Sequence, residues 1–360
     1  MTITIAVDAM GGDVGLKVTV PAALHFLRDY PNVELILVGD EAAMRQALGE
    51  HSSPDPRLHL QHADEVISMD ESPQAALKGK KNSSMRITLN LVKDGVAQAA
   101  VSAGNTGALM AIARFVLKTL PGIARPAIAK LLPNRHGTAT CALDLGASID
   151  SDAERLVQFG IMGVELVSAI RGIENPTVGL LNVGTEDIKG SECIREAAEM
   201  MKESGLNYHG FVEGNDIYLG SVDVVVTDGF TGNVALKTSE GLARMIAIYL
   251  KEEYSRGLWS KLAAVISAPV LRRFRDRADA RRYNGASLLG LRGSVVKSHG
   301  GTDETGFYFA LLQAYKEAQN DVITHIAERI EQQLKTIQQP VPAQISTESP
   351  SVTAPDQGQS

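Results

Sequence analysis

A chain of 360 residues, 44% hydrophobic and 21% charged, buries a sizeable core and is too apolar to be wholly disordered. Its net charge of −7 argues against general nucleic-acid coating, and its two cysteines do not make a disulfide framework. The opening Met-Thr-Ile-Thr-Ile-Ala-Val-Asp has no basic segment leading into an apolar run, and no apolar stretch is long enough for a bilayer, so a soluble cytoplasmic protein is expected.

From the N-terminus, short Val/Ile-rich runs at 3–7, 33–38, 99–101, 177–183 and 222–226 each end in small or polar residues. Runs apolar on both faces read as strands covered by helices. Helical patterns at 16–29, 41–48, 153–170 and 192–202 read as crossovers between them. The alternation predicts a three-layer α/β/α sandwich around a mostly parallel sheet with right-handed crossovers, in one large unit spanning 1–337. Residues 238–283 are helical for longer than a crossover needs. There Trp259, Leu262, Ala263, Ile266 and Val270 fall on one face that Pro269 interrupts, and Arg272, Arg273, Arg275, Arg277, Arg281 and Arg282 follow. The segment 338–360, rich in Pro, Gln, Ser and Thr, is expected to be disordered.

Ligands of open parallel sheets sit beyond the carboxyl ends of the strands, where helix N-termini offer free N–H groups to anions. Four such ends are rich in small residues. They hold Asp8, Gly11, Gly12 and Asp13; then Ser102, Gly104, Asn105 and Thr106; then Gly184, Thr185 and Asp187; then Gly229, Thr231, Gly232 and Asn233. Any one alone is an ordinary turn, but four together point to a phosphate or other anion site. Neither a P-loop nor a dinucleotide fingerprint is present, which disfavours an NTPase or a conventional NAD enzyme. There is no nucleophile elbow and no zinc spacing, so no cofactor and no metal are expected, although Asp8 and Asp13 are either metal ligands or caps of the first helix. Cys141 and Cys193 read as packing thiols. His299 reads equally as a loop imidazole or a catalytic group, and Lys189 and Lys297 sit beside glycine turns where a phosphate wants cations.

Taken together, the segments Asp8-Ala-Met-Gly-Gly-Asp13, Val101-Ser-Ala-Gly-Asn-Thr-Gly-Ala108 and Asn182-Val-Gly-Thr-Glu-Asp-Ile-Lys-Gly190 resemble the acyl-acyl-carrier-protein:phosphate acyltransferases of bacterial phospholipid synthesis, the PlsX family. Glu213-Gly-Asn-Asp216, the run from Val224 to Lys237, Gly285-Ala-Ser-Leu-Leu-Gly290 and Lys297-Ser-His-Gly300 extend the resemblance over about residues 2–335. It departs at Gly301, where family members often carry a small polar residue.

The resemblance implies reversible transfer of a long fatty acyl group from acyl carrier protein to inorganic phosphate. The acyl phosphate then serves a membrane acyltransferase that acylates glycerol 3-phosphate. It also implies a homodimer with a fold similar to phosphotransacetylases and the isocitrate/isopropylmalate dehydrogenases. Phosphate is then itself the nucleophile, which accounts for the missing side-chain one. The expected placement has phosphate on both the Ser102–Thr106 and Gly229–Asn233 turns, with Lys189 or Lys297 as the cation. Lys189 or His299 protonates the departing thiolate or orients the phosphate, and Asp8 and Asp187 orient the cations. Trp259, Leu262, Ile266, Arg272, Arg273 and Arg275 are expected to form a core or dimer face, or to meet the acidic carrier protein or an anionic membrane surface, giving peripheral attachment to the inner face of the cell membrane. The rival readings are a short-chain phosphotransacetylase acting on a coenzyme A thioester, a non-catalytic scaffold for lipid enzymes, and a nicotinamide dehydrogenase of similar fold.

Overall fold

The computed structural model describes residues 2–49, 55–277 and 279–337. The N-terminal half runs β1 (Ile3–Asp8), α1 (Leu16–Asp29), β2 (Val33–Gly39), α2 (Glu41–Gly49), β3 (Leu58–His62), α3 (Pro73–Gly79), α4 (Ser84–Lys93), β4 (Ala99–Ser102) and α5 (Thr106–Leu117). Next come β5 (Ala127–Pro133), β6 (Ala139–Leu143), α6 (Ala153–Arg171), β7 (Thr177–Leu181), α7 (Glu192–Glu203), β8 (Asn207–Val212), α8 (Asp216–Leu219) and β9 (Val224–Val226). Two long helices follow, α9 (Gly229–Ser255) and α10 (Leu258–Arg277), then β10 (Ala286–Leu289), β11 (Ser294–Lys297), α11 (Glu304–Gln319) and α12 (Val322–Ile337). The predicted α/β alternation holds, and helix 16–29 has its predicted ends. The segment 338–360 lies outside the described residues.

All the strands join one sheet in the order β3-β2-β1-β4-β11-β10-β5-β6-β9-β7-β8. Seven of its ten pairings are parallel. The three antiparallel ones are consecutive, β11 with β10, β10 with β5 and β5 with β6. Three reversals are an odd number, so β6, β9, β7 and β8 run opposite to β1, β2, β4 and β11. Helices cover both faces. Phe26 of α1 and Phe307 of α11 pack with Val7, Val101 and Val296 on one side, while Leu89 of α4 and Leu109 of α5 pack with Ala6, Ala100 and Val295 on the other. Each further apolar side chain buried in these layers contributes about 1.5–3 kcal/mol.

The helical extension begins earlier than the expected 238. Asp228 caps α9 by accepting from Thr231 N–H at 2.9 Å, so the Thr-Gly-Asn run read as a turn is the first turn of a helix. Of α9 only Gly229 and Gly232 are buried, and no described residue of α10 is. Helix α10 continues through Pro269, the residue that interrupts its apolar stripe. The two helices pack on each other as a hairpin.

Candidate active site

The parallel register aligns Asp8 with Ser102 and Ser102 with Lys297, so three polar residues share one row at the C-terminal ends of adjacent strands. Same-row residues of parallel strands face the same way. Asp8 is buried at 1% exposure. Its two carboxylate oxygens accept from Ser84 Oγ and Ser102 Oγ, each at 2.6 Å. Burial pushes the Asp8 carboxyl above its ordinary range, and the hydroxyls of Ser102 and Ser84 with the N–H groups of Gly11 and Met10 pull it back. The turns after these strands interlock. A Cβ at Gly11 would lie 2.8 Å from Gly104 N, and Asp13 N–H donates to Gly300 O at 2.9 Å. Gly11 therefore serves close backbone approach, and Gly12, at φ +93°, serves a left-handed turn.

Lys297 is 8% exposed, and its ammonium donates to Ala103 O at 3.2 Å and to Ser298 O. Burial lowers its pKa to about 8 against the pull of Asp8 and Asp13, and Lys237 and Lys130 lower it further. Those two lysines reach the site from elsewhere. Lys130 of β5 lies in the same register row through Ala286 of β10, and Lys237 comes from α9. Glu240 joins them, with Oε1 3.5 Å from Lys130 Nζ and Oε2 3.0 Å from Lys237 Nζ.

His299 stands exposed at the mouth. Its Nδ1 accepts from Gly301 N–H at 3.1 Å, which leaves the proton of the neutral ring on Nε2. Partial burial lowers its pKa, Glu240 opposes this, and Lys297, Lys130 and Lys237 add to it. Asn284 holds the loop by accepting from His299 N–H at 3.0 Å and donating to Ser298 Oγ at 2.8 Å. The site thus gathers three lysines around a neutral imidazole donor, an environment suited to a multiply charged anion.

Other expected site residues go elsewhere. Asn105 caps α5 at 3.0 Å to Ala108 N–H, and its Nδ2 donates to Met69 O and Glu71 O, both at 2.9 Å, so it fastens a loop beside the exposed Thr106. The Gly229–Asn233 turn does not join the Ser102–Thr106 turn. Five strand spacings, roughly 24 Å, separate β9 from β4, and the two strands leave the sheet by opposite edges. Its N–H groups are also taken, since Phe230, Thr231 and Gly232 donate to Ile149 O, Asp228 Oδ1 and Asp228 O. Lys189, five strands from Lys297 on the turn after β7, pairs with Glu186 at 3.1 Å. Asp187 orients neither cation. It faces Lys202 and Tyr208 in a surface groove of about 590 Å³ between α7 and β8, remote from the register row. The thiols are packing residues as expected: burial pushes Cys141 up to about 12, and Cys193 Sγ donates to Ser151 O at 3.4 Å.

The model of a family described as fatty acid synthesis protein matches residues 3–325. The chain belongs to this family. A phosphate acyltransferase from Chromobacterium violaceum is 62% identical over 340 residues, covering 94% of this chain and 98% of that protein. One from Neisseria meningitidis serogroup C is 53% identical over 337 residues, covering 93% and 96%. Membership makes the chain an acyltransferase of lipid synthesis. Among solved structures, phosphotransacetylases from Streptococcus pyogenes (TM-score 0.63, 18% identity, 88% of this chain and 94% of that one) and Staphylococcus aureus (TM-score 0.58, 16% identity, 88% and 94%) share the fold.

The structure also brings to this candidate site Ser84, Lys130, Lys237, Glu240 and Asn284, which were not expected from the sequence. Lys130 alone carried a local signal, a charge inside an apolar strand. A small apolar cavity of about 30 Å³, room for one water, lies beside Ala142, the strand partner of Lys130, and is lined by Leu132, Leu145, Val225 and Leu236. On the hairpin, Trp259 is 84%, Ile266 71% and Leu262 49% exposed. Arg272 and Arg273 are exposed as well, while the side chain of Arg275 lies outside those described. No helix among the described residues is long and apolar enough to cross a membrane.

Proposed function

We propose that the protein transfers a long-chain fatty acyl group from acyl carrier protein to inorganic phosphate, releasing acyl phosphate for a membrane acyltransferase that acylates glycerol 3-phosphate. The observation that carries this reading is the convergence of Lys297, Lys130, Lys237 and His299 over the Asp8–Ser102 row. A phosphate oxygen attacks the thioester carbonyl, the C–S bond breaks, and the pantetheine thiolate leaves and takes a proton from water or a site group. The protein's task is alignment and charge stabilisation. Lys297 holds the phosphate, and His299 Nε2–H donates to it or to the developing oxyanion. Asp8 acts through Lys297, whose charge it favours.

Mixing the protein with palmitoyl-acyl carrier protein and phosphate, and trapping with hydroxylamine, tests the reading. Phosphate-dependent hydroxamate is expected. Thioester loss without hydroxamate would make it a thioesterase, and reaction only with acetyl-coenzyme A would make it a short-chain phosphotransacetylase.

The hairpin supports the same reading. Leu242, Met245, Ile246 and Tyr249 form an exposed stripe on α9, 41–58% open across its large apolar residues from Leu242 to Leu250, suited to a second copy. Leu258 and Trp259, 86% and 84% exposed, lie at the tip beside Arg256 and Lys261, a pattern suited to an anionic membrane surface. Arg272 and Arg273, nearer the site, suit the acidic carrier protein. Trp259→Glu is expected to reduce sedimentation with anionic liposomes severalfold without changing hydroxamate formation in solution, and undiminished sedimentation would remove the membrane role of the tip.

A further inference from the structure

Glu240 is an anion set among the cations of the anion site. Its two carboxylate oxygens lie against two ammonium groups, Oε1 at 3.5 Å from Lys130 Nζ and Oε2 at 3.0 Å from Lys237 Nζ. That is the two-point engagement two oxygens of a tetrahedral phosphate would make. The lysines come from different elements, β5 and α9: Lys237 and Glu240 form a partly exposed pair on the helix, while the contact to the largely buried Lys130 crosses from helix to strand. Lys237 and Glu240 are one turn apart on α9, the helix that carries the exposed hairpin, and α9 leaves the sheet at Gly229.

We infer that Glu240 is a positioning residue that holds the place of the phosphate: its carboxylate keeps Lys130 and Lys237 together in the free enzyme and is displaced when inorganic phosphate binds. This rests on the phosphate site proposed above. Displacement follows from charge. One carboxylate offers a single negative charge to two ammonium groups, whereas phosphate near neutral pH brings up to two, with further oxygens for Lys297 and His299. Exposed and partly exposed ion pairs are weak, so the internal anion yields to millimolar phosphate. It also leaves Lys130 and Lys237 arranged before the substrate arrives, which reduces the ordering cost of binding.

The test is a phosphate titration of hydroxamate formation at saturating palmitoyl-acyl carrier protein, with wild type, Glu240→Gln and Glu240→Asp. Removing the competing charge in Glu240→Gln is expected to lower the phosphate KM about three- to tenfold with kcat within about twofold. Inhibition by sulfate should strengthen in parallel, and Glu240→Asp, too short to bridge both lysines, should fall between. Phosphate binding without acyl donor, followed by 31P line broadening, should tighten in the same order. A phosphate KM that rises or stays constant in Glu240→Gln would overturn the inference and leave Glu240 as a strut for the lysines. Should Glu240→Gln not fold, Glu240→Asp gives the same comparison by itself. Absence of phosphate-dependent hydroxamate in the wild type would instead overturn the acyltransfer reading, whatever the variants do.

Discussion

Lys297→Met is expected to lower phosphate-dependent acyl transfer by about 10²–10³-fold while the protein still folds. Methionine fills the space of the lysine stem and needs no hydrogen-bond partner, whereas Lys297 holds its charge in a site with 8% exposure. Burial lowers the lysine pKa from 10.5 to about 8, which fixes the sign of two pH effects. Activity needs the ammonium form, so wild-type kcat/KM for phosphate should fall as pH rises through about 8, and the residual activity of Lys297→Met should lack that limb. Stability moves the other way. Between about 8 and 10.5 the unfolded lysine stays protonated while the folded one loses its proton, so this group costs most below pH 8 and the cost is relieved as pH rises. Lys297→Met should accordingly be at least as stable as wild type at pH 7, with the difference shrinking above pH 8, read from urea unfolding. A folded Lys297→Met protein with full turnover would remove Lys297 from the phosphate site.

Gly232→Ala is expected to destabilise the fold by more than about 3 kcal/mol. A Cβ there would sit 2.0 Å from Asp144 O, and one at Gly229 would sit 1.9 Å from Ser148 O. Both neighbours are backbone, so no side chain can swing aside. The strand-end loop they meet is itself fixed: Asp144, fully buried, accepts from Ile128 N–H at 2.9 Å, Ala147 N–H at 3.0 Å, and Ser148 N–H and Oγ at 2.9 and 2.7 Å. These glycines let the start of α9 pack against β6, a structural task for residues that look like a phosphate cradle. An unchanged denaturant midpoint for soluble Gly232→Ala would contradict this close packing.

The alternation of strands and helices was legible because each element's signal is local. Residues 16–29 carry their own helical period, and 3–7 and 33–38 carry their own unbroken apolar runs. Asp8, Ser102 and Lys297 were legible as site candidates for a related reason: each ends an apolar run, where a polar residue has no packing task. What joins the strands is not local. The short runs 286–289 and 294–297 carry no signal for antiparallel pairing, yet β10 inserts between β11 and β5, and its two reversals cancel so that the β5–β6 pairing opposes the two halves of the sheet.

Sequence by itself determined the fold class, the family resemblance and three residues of the charged row, because patterning and motif order are properties of contiguous residues. Tertiary structure alone decided which glycine turns share an edge. The odd number of antiparallel pairings sends the Asn182–Gly190 and Gly229–Asn233 turns to the far edge and leaves the turns after β1, β4 and β11 together. It also brought Lys130, Lys237 and Glu240 to Lys297, since a strand and a helix distant in the chain meet only when both pack on the same face.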